Sequence, residues 1–144
     1  MTGRIVVPVD GSDFMERVVS EASELAMRYH LGLALINVQT ENPYPGIGAN
    51  ETMRQAEQRH DRIEGQKILD RAKAMAEDYT SDIEIETEVL FGNPADRILK
   101  YADEHEADLI VIGSNASSDI KRILLGSVSG RVVAHAKQSV LVVK

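Results

Sequence analysis

Apolar residues along the chain fall into two kinds of run, and the two kinds alternate. Ile5-Val6-Val7-Pro8-Val9 is short and continuously apolar, the pattern of a strand buried on both faces. Pro8 stands near its end, where a missing ladder donor is tolerated. Asp10-Gly11-Ser12-Asp13 breaks the run and offers side-chain oxygens for a helix start. Met15, Val18, Val19, Ala22, Leu25, Ala26 and Tyr29 follow at helical spacing and predict one buried stripe. After Gly32, Leu33 to Val38 reads as a second buried strand.

Asn42 to Asn50 carries Pro43, Pro45, Gly46 and Gly48 and predicts a loop. From about Glu51 to Tyr79 the chain is strongly charged and helical in pattern, with Ile68, Leu69, Ala72, Met75, Ala76 and Tyr79 on its buried side. Its first half, around Gln58 to Gly65, is polar nearly all round. Ile83, Ile85, Thr87 and Val89 alternate with Glu84, Glu86 and Glu88, which predicts an edge strand with one wet face. Asn93 and Pro94 read as the N-cap and first residue of a helix whose core face is Ala95, Ile98, Leu99 and Ala102. Leu109 to Ile112 is a further apolar strand, Gly126 to Ala136 a helix, and Val140 to Val143 a closing strand.

This β-α-β-α-β-α-β-α-β order predicts an α/β fold: a doubly wound, five-stranded parallel sheet with helices on both faces. The Pro/Gly stretch falls inside a crossover, so residues 1–144 read as a single domain. The formal charge is −7, from 16 basic and 23 acidic residues, which opposes non-specific binding to nucleic acid or anionic lipid. With no cysteine, a disulfide scaffold, thiol catalysis and a Cys-based zinc site are excluded. His30, His60, His105 and His135 show no metal spacing. The start has no signal-peptide layout and no apolar run has the length of a membrane span, so the expected location is cytoplasmic.

Ligands of open parallel sheets bind beyond the carboxyl ends of the strands, where the strand order reverses. Two loops there have chemistry beyond a plain turn. Asp10 can accept from a ribose hydroxyl or an adenine amino group, or it can cap the following helix or brace the turn at Gly11. Gly113-Ser114-Asn115-Ala116 and the later Leu125-Gly126-Ser127 can bring backbone amides and a helix N-terminus to a phosphate, or can simply join strand to helix. The P-loop pattern G-x-x-x-x-G-K-[ST] is absent. Lys121 and Arg122, between the two glycine segments, can steer phosphates or simply stay in solvent.

The ordered set of Ile5 to Ser12, Gly92-Asn93-Pro94-Ala95, Ala107 to Ser114, Leu124 to Ser129 and Val140 to Val143 resembles the universal stress protein family over the whole chain. The resemblance implies strand order 3-2-1-4-5 and an adenine nucleotide hydrolase-like fold. It implies a nucleotide cleft formed by Pro8, Val9, Asp10, Val38, Ile112, Gly113, Ser114, Asn115, Ala116, Gly126, Ser127 and Val128. Asp10 would contact the adenosine, Val38 would lie beside the adenine, Gly113 and Gly126 would approach ribose and phosphates, and Ser127 would donate to a phosphate. The expected ligand is ATP, with or without Mg2+, or else AMP or ADP, in a stress-response or regulatory protein with slow or no hydrolysis. Autophosphorylation on Ser117, Ser118 or Ser129 is conceivable by family, although the sequence names no general base. Pairing of the closing strand would give a homodimer.

The family's nucleotide pattern, G-x-x-G-x9-G-[S/T], is met at Gly113, Gly126 and Ser127 but has Ala116 at its second glycine. An interaction module of the same fold without nucleotide is therefore the alternative. A phosphoacceptor receiver domain is rejected, because Val89-Leu90-Phe91 stands where its acceptor Asp belongs.

Overall fold

The computed structural model describes residues 3–40, 50–79, 81–114 and 125–144. The chain runs β1 (Arg4–Pro8), α1 (Met15–Tyr29), β2 (Gly32–Gln39), α2 (Glu51–Tyr79), β3 (Ile85–Phe91), α3 (Pro94–Glu104), β4 (Leu109–Gly113), α4 (Ser127–His135) and β5 (Ser139–Val143). The strands form one parallel sheet in the order β3-β2-β1-β4-β5. Asn93 caps α3 as expected, its side chain accepting from Asp96 N–H at 3.1 Å with Pro94 at the first turn.

Alternation along the buried strands divides the core in two. Ile5 and Val7 of β1, with Val9 just beyond it, pack under α1 and α2 against Met15, Val19, Leu69 and Ala72. Val6 of the same strand packs the opposite way, with Ile36, Ile98, Tyr101 and Val132 under α3 and α4. Each fully buried aliphatic side chain contributes about 1.5–3 kcal/mol, so both helical layers are held by the same period-two strand pattern.

Three local expectations are corrected. Tyr29 and Tyr79 close the apolar stripes of α1 and α2 in sequence, yet they are 67% and 42% exposed, because each sits in the last turn, at the rim of the layer. The helix α1 takes no side-chain cap from Asp10, Ser12 or Asp13; its N-cap is Phe14. The polar first half of α2 is exposed on every side from Glu51 to His60, but Gly65 is buried. A Cβ on Gly65 would lie 2.9 Å from Asn37 Oδ1 and 3.0 Å from Val89 Cγ1, so glycine is what lets α2 close onto β2 and β3.

The edge strand β3 begins at Ile85, and its glutamates are exposed while Ile83, Ile85 and Thr87 are half-buried. Glu86 pairs with Arg4 at 2.9 Å. Burial, with Glu88 and Glu86 nearby, pushes the Tyr101 hydroxyl above its ordinary pKa, well away from the carboxyl end of the sheet. No helix among the described residues is long and apolar enough to cross a membrane.

Candidate functional site

The central strands part company at their carboxyl ends. β1 and β4 pair only at Ile5↔Leu109 and Val6↔Ile110, whereas β4 and β5 pair along their whole length to Gly113↔Val143. The helices that follow β1 and β4, α1 and α4, pack on opposite faces of the sheet, and the space beyond the two strand ends is the cleft expected at a reversal of strand order. It is a cavity of about 370 Å3, within the range of small-molecule sites (roughly 300–1,000 Å3).

Of the residues singled out in the sequence, Pro8, Val9, Asp10, Val38, Ile112, Gly113, Gly126, Ser127 and Val128 line this cavity. Asn115 and Ala116 lie outside the described residues, as do Lys121 and Arg122 and the serines Ser117 and Ser118. Ser114 is buried behind the cavity wall and braces it. Its N–H donates to Val143 O at 2.9 Å, and its carbonyl accepts from Gly126 N–H at 2.9 Å and from Ser129 Oγ at 3.0 Å. That pair of bonds ties the end of β4 to the start of α4.

This arrangement changes the part each glycine plays. The Gly126 N–H, expected to face a phosphate, is committed to Ser114 O. Gly113 provides room: a Cβ there would lie 3.1 Å from the Phe14 ring and 3.2 Å from Val18. Phe14 can therefore seat its ring against β4 and form part of the cavity wall.

Asp10 holds the other side of the mouth. Its Oδ1 accepts from Ser12 N–H at 3.0 Å and from Ser12 Oγ at 2.7 Å, across Gly11 at φ +80°. The side chain thus braces the turn, as one of the two readings expected, and still lines the cavity. A turn that needs positive φ selects glycine, and an aspartate two residues before the accepted N–H closes it locally.

Opposite Asp10 stands the start of α4. Gly126 is its N-cap in extended conformation, with no side-chain cap, and the first internal bond is Gly130 N–H to Gly126 O at 2.8 Å. The N–H groups of Ser127, Val128 and Ser129 precede that bond, so helix geometry leaves them without intrahelical acceptors. They carry the positive end of the helix dipole, and Ser127 adds an exposed hydroxyl. Asp10 is the one charged side chain among the described lining residues. No group of three or more His, Asp or Glu among the described residues is placed to hold a metal.

Sequence reasoning did not place Phe14, Asn37, Gln39, Ile68 and Ile98 at the site, yet they also line the cavity, as does Ser129, named in the sequence only as a phosphoacceptor. Ile68 and Ile98 read as ordinary helix-face residues, and no local pattern marks Phe14. Asn37 did carry a signal: a polar residue inside an otherwise apolar buried strand. It is 4% exposed.

A model of the universal stress protein family matches residues 1–144. A universal stress protein of Methanocaldococcus jannaschii is 37% identical over 141 residues, covering 98% of this chain and 81% of its own. The solved universal stress protein from Archaeoglobus fulgidus in complex with dAMP aligns with a TM-score of 0.74 at 28% identity, covering 100% of both chains. A universal stress protein in complex with cAMP aligns with a TM-score of 0.72 at 28% identity, over 99% of this chain and 96% of that one. With its strand order, its cleft between diverging central strands and a match along its full length, this chain belongs to the universal stress protein family.

Proposed function

We propose that the cleft binds an adenine mononucleotide, as AMP, ADP or ATP, and that the protein acts in a stress response as a nucleotide-dependent regulator with slow or no hydrolysis. The observation that carries this reading is the composition of one cavity. It joins apolar walls for a base, a carboxylate at Asp10 for hydroxyl or amino donors, and an uncapped helix start at Gly126–Ser127 for phosphate. The relatives in complex with dAMP and cAMP support the choice of adenine. In this reading Val9 and Val38 flank the base and Ser127 donates to a phosphate.

The test is direct. The purified protein is denatured, the released small molecules are separated by chromatography, and the protein is titrated calorimetrically with AMP and with ATP–Mg2+. Recovery of adenine nucleotide or saturable heat is the expected result. Neither nucleotide nor heat would end the proposal, and the module without nucleotide would replace it. Ala116 is the residue that favours that second reading. Under it, Ala116→Gly creates or greatly strengthens ATP binding.

We also propose that the protein works in the cytoplasm as a homodimer paired through β5. The support is that β5 is an edge strand with Leu141 37% exposed, and a bare apolar edge invites pairing. Leu141→Lys is expected to give monomers in sedimentation, and an unchanged dimer would refute the pairing.

A further inference from the structure

The β1–β2 ladder stops one rung short of where its strands could carry it. Pairing runs from Arg4↔Gly32 to Pro8↔Ile36, and Val9 N–H still donates to Ile36 O at 2.8 Å. The next bond of a parallel ladder would run from Val38 N–H to Val9 O. Among the described residues no backbone donor takes that carbonyl. Asn37 Nδ2 takes it instead, at 2.8 Å.

The Asn37 amide is fixed in this orientation by chemistry. Val9 O can only accept, so Asn37 presents nitrogen to it and turns its oxygen the other way, where Gln39 Nε2 donates at 2.7 Å. Buried to 4% exposure, the side chain is closed over by α2 at Gly65, the position where a Cβ would come within 2.9 Å of Asn37 Oδ1. Residues along a strand direct their N–H and C=O alternately to its two neighbours. Ile36 serves β1, Asn37 faces β3 and Val38 faces the β1 side again. With Val9 O already taken, the Val38 N–H and C=O are left to the cavity that Val38 lines.

We propose that Asn37 is a positioning residue of the cleft: by holding Val9 O in place of Val38 N–H, it keeps the ladder open and leaves the Val38 backbone donor and acceptor for the edge of a nitrogen heterocycle. The ligand half of this statement rests on the nucleotide reading given above. The half concerning the ladder does not.

The experiment uses the whole chain, as wild type and as Asn37→Leu and Asn37→His. Hydrogen exchange at single amides is followed by NMR without ligand, and AMP is titrated calorimetrically. In the wild type, Val38 N–H is expected to exchange at least about tenfold faster than Ile36 N–H, as an amide outside the ladder does. Asn37→Leu removes the donor, lets the rung close, slows Val38 exchange and weakens AMP at least about tenfold. Asn37→His keeps an N–H donor and is expected to hold both readouts near wild type, which a role in stability alone would not produce. Should the Leu variant fail to fold, Asn37→Ala removes the same donor. Val38 as protected as Ile36 in the wild type, or unchanged exchange and affinity in the donorless variants, would overturn the proposal. Exchange that follows the variants while no form binds AMP would overturn the nucleotide reading and leave Asn37's hold on the ladder standing.

Discussion

The turn after β1 and the connection after β4 leave neighbouring strands at the same end of the sheet, yet they satisfy their polar groups by different means. The first closes within three residues: Asp10 accepts twice from Ser12 across Gly11 in positive φ. The second is closed between residues distant in sequence, with Ser114 O gripped by Gly126 N–H and Ser129 Oγ. A local turn consumes its own donors. The long-range clasp fixes the entry to α4 with backbone and a buried hydroxyl, and helix geometry leaves the N–H groups of the first turn without intrahelical acceptors. The same contrast separates the chemistry, with a carboxylate on one lip of the cleft and helix donors on the other.

Five substitutions probe this contrast, all read by urea unfolding midpoints. Gly113→Val is expected to cost most, about 2–3 kcal/mol, because its Cβ alone already meets Phe14 and Val18 at 3.1–3.2 Å. A loss under 0.5 kcal/mol would mean that the room at Gly113 is not needed. Gly11→Ala places a Cβ at φ +80° and 3.1 Å from Ile68, and is expected to cost about 1–2 kcal/mol. If it costs nothing, the first turn is not conformationally demanding and the contrast weakens.

Ser129→Ala removes the hydroxyl half of the clasp and is expected to cost about 1 kcal/mol, with a few-fold loss of AMP affinity from a looser α4 start. An equal cost from Ser12→Ala, without loss of affinity, would sharpen the distinction between clasp and local turn. Smallest in stability is Ser127→Ala, expected to shift unfolding by under about 0.5 kcal/mol, since the hydroxyl is exposed. Its signature is in calorimetry, where AMP is expected to weaken by about two- to tenfold. Unchanged affinity would remove Ser127 from the phosphate site.

Much of the architecture was legible because it depends on period. Continuous apolar runs at Ile5–Val9, Leu33–Val38 and Leu109–Ile112 became the central strands, and the Glu84-Glu86-Glu88 alternation became an edge. The Asn93-Pro94 start of α3 could be read because capping is a matter of adjacent residues. Misreadings gathered where neighbours in space decide. Tyr29 and Tyr79 continue apolar stripes, but a stripe does not say where the opposing layer stops. Asp10 was expected as ligand contact, helix cap or brace of the Gly11 turn, and the cap is excluded by where α1 begins, one residue after Phe14.

The candidate site divides in the same way. Nine of the residues implied by the family resemblance line one cavity, and five of them, Pro8, Asp10, Gly113, Gly126 and Ser127, are of the types that mark strand ends and helix starts. The walls made by Phe14, Ile68 and Ile98 were invisible, since a helix-face apolar residue looks alike whether it faces core or cleft.

By itself the sequence determined the alternation of strands and helices and the small residues at the mouth. Those follow from side-chain period and local backbone preference, which act between near neighbours. Only the tertiary structure decided that Gly126 N–H is spent on Ser114, that Gly113 makes room for Phe14, and that Asn37 replaces a ladder bond at Val9. Each of these is a contest between partners far apart in the chain for one donor, one acceptor or one volume, and it is settled only when they are packed together.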